Sequence, residues 1–153
     1  MKKILLIGAA VALAILVFVT TLPSPANNDI PGNQSRVCFQ QSCFQVELAV
    51  TPEQLSYGLM NRAHLDQDKG MLFIFQEDEI YPFWMKNTLI PLDMIWIDSQ
   101  GKAVFIKENA QPCSPVECPL IRPTAQARYV LEVNAGTVER IGLSVGDSLE
   151  ILI

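Results

Sequence analysis

Hydrophobic positions along the chain fall into three regimes. Residues 4–19 form an apolar run, extended by Thr20, Thr21 and Leu22 and preceded by Lys2 and Lys3. Residues 23–35 (PSPANNDIPGNQS) carry no apolar periodicity. From residue 36 onward, short apolar stretches alternate with Gly, Pro and acidic clusters, the pattern of strands separated by turns. In 44–50, Phe44, Val46, Leu48 and Val50 share one face, with Gln45, Glu47 and Ala49 on the other, which predicts a half-buried strand. Thr51-Pro-Glu-Gln54 then supplies an N-cap, a proline at the first helical position and a capping-box glutamine. A helix is predicted over 52–60, with Leu55 and Leu59 four residues apart facing the core.

Further along, 71–75 reads as a buried strand after Gly70, and Glu77, Asp78 and Glu79 as a turn. Residues 83–85 read as another short strand. Segments 92–97 and 102–107 are strands joined by Asp98-Ser-Gln-Gly101, and 109–126 is a long loop with four prolines. Residues 129–133 form a strand, 137–141 a helical turn stopped by Gly142, and 148–152 a closing strand. The expected fold class is α+β, mainly β. It consists of a small, partly barrel-like antiparallel sheet with one or two short helices, behind an N-terminal hydrophobic helix.

Composition sharpens the first regime. Half of the 153 residues are hydrophobic, but removing residues 1–22 returns the remainder to the ordinary globular range. Two lysines before an apolar core are the layout of an export signal or a membrane anchor. Residues 4–22 are long enough, at roughly 1.5 Å per residue, nearly to span a hydrocarbon core of about 30 Å. Ser24-Pro-Ala26 offers a poor but usable cleavage site. The segment is therefore read as a signal peptide or transmembrane anchor (1–22), followed by a flexible tether (23–35) and one β-rich globular domain (36–153). The expected location is extracytoplasmic, in the periplasm or at the cell surface, either anchored or secreted after cleavage.

Charge narrows the partners. All 16 Asp and Glu follow the apolar run and two of the 11 Lys and Arg precede it, so the exported part carries nine basic residues and a net charge of −7. That balance argues against nucleic-acid or anionic-lipid binding. The expected partners are the membrane, through the N-terminal segment, and a small molecule or protein. The four cysteines, Cys38-x4-Cys43 and Cys113-x4-Cys118, read first as disulfides in an oxidising compartment. If Gln40-Gln41 is a hairpin turn, Cys38 and Cys43 face each other at a non-hydrogen-bonded pair. A four-thiolate zinc site is the lesser alternative, and three connectivities remain open.

The central block also resembles a known family. Gly58-Leu-Met60-x-Arg62, Gly70-Met-Leu-Phe73-x-Phe75, Phe83-Trp-Met-Lys-Asn-Thr88 and Ile90-Pro-Leu-Asp93 are similar to the signature of the domain of unknown function 192 family, also called uncharacterised protein family 0127. So are Tyr129-Val-Leu-Glu132 with Ala135-Gly136, and Gly146-Asp147. The resemblance covers roughly 44–152. It implies a small, mainly β, partly barrel-like domain, often behind a signal sequence, and no defined activity.

Candidate chemistry concentrates in Phe83-Trp-Met-Lys-Asn-Thr88 with Asp93. If Trp84 and Lys86 share a strand face, an indole and a cation flank Asn87, and Arg62 supplies a second cation. Such a set suits an anionic or sugar-like ligand. The structural alternative is that Asn87 and Thr88 organise a turn while Asp93 pairs with Arg62 or Lys86, because an inward-facing acid needs a partner. Met60, Met71, Met85 and Met94, with the lone His64 nearby, have the ligand types that suit Cu(I), but each methionine sits among apolar residues where it fills core space. The chain has no nucleophile elbow, phosphate loop or two-histidine metal motif, and nothing in it calls for a cofactor. The reading is thus an exported, membrane-tethered ligand-binding or interaction module. A Met-dependent Cu(I)-binding protein and an enzyme of unknown class are the alternatives.

Overall fold

In a computed structural model the described residues are 35–114 and 116–153. The hydrophobic segment 1–22 and all but the last residue of the tether lie outside them. Seven strands form one sheet: β1 (Arg36–Phe39), β2 (Ser42–Ala49), β3 (Lys69–Glu79), β4 (Leu92–Ile97), β5 (Ala103–Ala110), β6 (Ala127–Asn134) and β7 (Glu150–Leu152). Two short helices, α1 (Pro52–Tyr57) and α2 (Thr137–Ile141), complete the elements. The order across the sheet is β5-β4-β6-β3-β2-β1-β7. Antiparallel pairs dominate, but β2 and β3 run parallel. A parallel neighbour requires a crossover, and α1 lies in the connection that makes it.

The ends of the sheet curl toward each other. Ala103 N donates to Asp147 O, Gly146 N to Ala103 O and Leu149 N to Gly101 O, each at 2.8 Å. These bonds fasten the start of β5 to the segment entering β7 and produce a half-barrel. Both faces of the sheet are covered, and the two-residue period of the strands sorts side chains between two cores. Leu72, Ile95, Ile97, Leu131 and Val133 join one cluster with Val37, Phe44 and Val46. Met71, Phe73, Met94, Trp96 and Val130 join the other with Leu59 and Met85. Every residue of β4 is therefore buried, which is why 92–97 is apolar on both faces except at Asp93.

Local signals explain the element ends. Thr51 Oγ1 accepts from Gln54 N, and Gln54 Oε1 accepts from Thr51 N, closing the expected capping box. The helix stops at Tyr57, short of the expected residue 60, because Gly58 takes φ +50°. Val50 leaves the strand and is exposed. The β1–β2 hairpin turns at Gln40-Gln41, with Gln40 at φ +53°, the sign pattern of a II′ turn. Cys38 faces Cys43 with Cα atoms 4.1 Å apart, the close spacing of a non-hydrogen-bonded pair, and the two are disulfide-bonded. Cys113 and Cys118 form the second bridge.

Two expected elements differ. Glu77–Glu79 do not form a turn; they extend β3 past a register shift, because Asp78 accepts from Ser99 Oγ (2.7 Å) and Arg128 Nε (2.9 Å). Residues 83–85 are not a strand. Phe83 makes a single bridge to Ile121, with N–H to O distances of 3.0 and 2.7 Å.

Candidate functional site

The segment 83–88 is held by its aromatic anchor. Phe83 meets Phe73, Trp96 and Phe75 edge-on, with ring centroids 4.9, 5.5 and 6.4 Å apart. With Phe83 and Met85 turned toward the core, Trp84 is left outward, 42% exposed. A turn then runs from Met85 to Thr88, whose N donates to Met85 O at 3.1 Å. Asn87 occupies this turn at φ +55°, a conformation that asparagine tolerates. Its carbonyl accepts from Asn61 N at 2.8 Å, tying the turn to the chain just after α1.

Between these two segments lies a narrow cleft of about 30 Å3, with Tyr57 and Trp84 among its lining residues together with Lys86 and Thr88. Lys86 Nζ stands 5.3 Å from the centre of the Trp84 ring, a cation–π contact. Trp84 also lines an adjoining depression of about 190 Å3 bounded by Phe75, Tyr81 and Phe83. Part of the expected constellation is thus present, although the cation and the indole meet across an irregular segment and not on a strand face.

The remaining expected residues lie elsewhere. Arg62 forms a two-pronged ion pair with Glu47 on β2. The Arg62 guanidinium bound to Glu47 holds that carboxyl below its usual range. The pair lines a separate depression that shares only Tyr57 and Gly58 with the cleft. Asp93 pairs with neither Arg62 nor Lys86. It is fully buried and accepts from Asn109 N and Val138 N, both at 2.8 Å, so it caps the start of α2. Asn87 directs its amide nitrogen toward Met60 Sδ at 3.9 Å.

Met71, Met85 and Met94 pack in one apolar core cluster, with Met94 fully buried, while Met60 lines the cleft. His64 is at the surface, 3.0 Å from Asp66 Oδ1. Among the described residues no group of three or more His, Cys, Asp or Glu is placed to hold a metal ion.

The residue that the sequence reading passes over is Glu132. It lines the cleft with Lys86 and Trp84 yet is only 4% exposed. On β6 it sits between Met71 of β3 and Met94 of β4, its direct cross-strand partners on the same face. Among the described residues its carboxyl makes no hydrogen bond or ion pair. Burial alone pushes its pKa up to about 8, so the group is mostly protonated at neutral pH. The signal was an acid between Leu131 and Val133 in an apolar strand, the pattern that also marks Asp93. Strand parity places the two acids on opposite faces: Asp93 is opposite Val133, and Met94 opposite Glu132.

A small half-barrel with a narrow aromatic and polar cleft is the class these features define. Residues 36–151 match the family model described as DUF192, uncharacterized ACR, and the chain belongs to that family. A crystal structure of a Sinorhizobium meliloti 1021 protein, named as a candidate transcription regulator, is 46% identical, with a TM-score of 0.70, covering 76% of this chain and 92% of that one. A crystal structure of a protein of unknown function from Novosphingobium aromaticivorans DSM 12444 is 32% identical, with a TM-score of 0.69, covering 83% and 92%. No curated protein matches the chain. The two disulfides indicate an oxidising, extracytoplasmic environment.

Proposed function

We propose that this protein is an exported ligand-binding module, tethered by its N-terminal apolar segment, whose ligand seats in the cleft between Tyr57 and Trp84. The carrying observation is the juxtaposition of an outward indole, a cation and a buried acid around one narrow opening. Large aromatic side chains are normally withdrawn from water, and a buried carboxyl normally has a partner. Here Trp84 stays at the surface and the Glu132 carboxyl opens to the cleft with no hydrogen bond to a described residue, an arrangement that suits a site completed by a ligand.

Export and tethering are supported by Lys2 and Lys3 before the apolar run and by the oxidised cysteines. The regulator name of one relative is not carried over, since the part after the apolar run has nine basic residues against 16 acidic ones, a balance unfavourable to DNA. Lys86→Ala tests the site. Native mass spectrometry of the full-length protein from its own host is expected to detect a retained non-covalent mass that the variant loses, with the melting temperature changed by only a few degrees. If Lys86→Ala instead lowers the melting temperature by many degrees, Lys86 has a structural role and the proposed site falls.

A further inference from the structure

Glu132 is the buried acid of the cleft. The whole cleft has a free volume of about 30 Å3, room for a water-sized substituent and little more. Met71 and Met94 flank Glu132 within the sheet and Phe73 lies under Gly58, while Ser56, Tyr57, Lys86 and Thr88 supply polar lining to the cleft itself. Immediately outside, Trp84 belongs both to this cleft and to the larger depression formed with Phe75, Tyr81 and Phe83. In that depression the Phe75 and Tyr81 rings stack with centroids 3.6 Å apart. A narrow polar recess thus opens beside a broader aromatic shelf.

We propose that the Glu132 carboxyl recognises one hydroxyl of a saccharide-like ligand whose ring lies against Trp84 on the aromatic shelf. This rests on the reading of the cleft as a ligand site and names the class of ligand. A ring with an apolar face and projecting hydroxyls suits an aromatic shelf that adjoins a polar recess. A protonated carboxyl is both donor and acceptor, which is the complement of a hydroxyl. Burial keeps Glu132 in that form near neutral pH. An anionic substituent would favour Lys86, the cation lining the cleft, over the Glu132 carboxyl. An ammonium would pass Lys86 at the mouth and require the acid to ionise away from water.

The test uses the full-length protein in a detergent without a sugar headgroup. Methyl hexopyranosides, their monodeoxy analogues and the matching aminodeoxy analogues are titrated while the Trp84 indole N–H and the Glu132 carboxyl carbon are followed by NMR. The expected result is that at least one hexoside shifts both signals. Removing the hydroxyl that enters the recess weakens binding at least tenfold, and Glu132→Gln weakens the parent sugar by a similar factor without adding to the deoxy loss. The deoxy series needs no variant, so it stands even if Glu132→Gln folds poorly.

Three outcomes overturn the inference and leave the ligand site intact. In the first, a hexoside shifts Trp84 while the deoxy analogues and Glu132→Gln bind within twofold. In the second, the aminodeoxy sugars bind more tightly than the parents. In the third, no sugar shifts Trp84 although the Lys86-dependent mass is still retained. If no sugar binds and no such mass exists, the site reading and the inference fall together.

Discussion

Gly58 stands over the carboxyl of Glu132: a β-carbon on Gly58 would lie 3.9 Å from Oε2 and 3.0 Å from Cζ of Phe73. Its φ of +50° is also one that side chains with a β-carbon rarely adopt. One residue therefore ends α1, opens the space above the buried acid and packs on the floor of the aromatic cluster. Without a side chain it does all three.

Gly58→Ala is expected to destabilise the domain by about 1–3 kcal/mol, from backbone strain and the Phe73 contact together. Urea unfolding measures the loss. The mass retained in the cleft should diminish as well, because the new methyl projects toward Glu132. Unchanged stability would mean that the segment relaxes freely, and the cleft would then have no fixed roof.

The buried acid predicts an unusual pH profile. The native state holds the Glu132 proton up to about 8, whereas the unfolded chain releases it near the ordinary value of 4.5. Protons bound by the native state exceed those bound by the unfolded state across that interval, so stability falls as pH rises from about 4.5 to about 8 and then levels. The loss is on the order of several kcal/mol. On the acid side the trend reverses, since Glu47, bound to Arg62, and Asp78, bound to Ser99 and Arg128, have lowered pKa values and lose their stabilising bonds on protonation. Melting temperatures from pH 4 to 9 should peak near 5. Glu132→Gln should remove most of the alkaline fall; parallel curves for the two proteins would contradict the assignment.

What was legible in the sequence follows from how local each determinant is. Strand β4, the Thr51 capping box and the Cys38–Cys43 hairpin each depend on residues within a few positions of one another, and each stands where the pattern places it. Failures come from long-range partners. Phe83-Trp-Met alternates inward and outward like a strand, but only Phe83 finds a neighbour, Ile121, so no ladder forms. Glu77–Glu79 look like a solvated turn until Arg128 and Ser99 arrive from distant segments to hold Asp78. Of the five expected ligand residues, Trp84 and Lys86 share the cleft and Asn87 shapes its turn. Arg62 and Asp93 are drawn away by Glu47 and by two backbone amides. Strand parity is readable from sequence; which covered face carries the opening is not, and that decided between Asp93 and Glu132.

Asp93 therefore yields a prediction opposite to that of a ligand residue. Its two oxygens each accept a backbone N–H, one from Asn109 at φ +47° and one from Val138 at the start of α2. Asp93→Ala leaves the buried Val138 donor without a partner and removes the part-buried bond from Asn109, and hydrogen bonds to a charged group contribute about 1.5–3 kcal/mol each. A loss of about 3 kcal/mol or more is expected in urea unfolding, and Asp93→Asn, which keeps one acceptor oxygen, should lose roughly half as much. Hydrogen exchange should quicken first at Val138 and Asn109. Near Trp84 the exchange pattern and the retained mass should stay unchanged, because the sheet separates Asp93 from the cleft. If Asp93→Ala abolishes that mass at wild-type stability, the ligand reaches the opposite face and the site must be redrawn around Asp93.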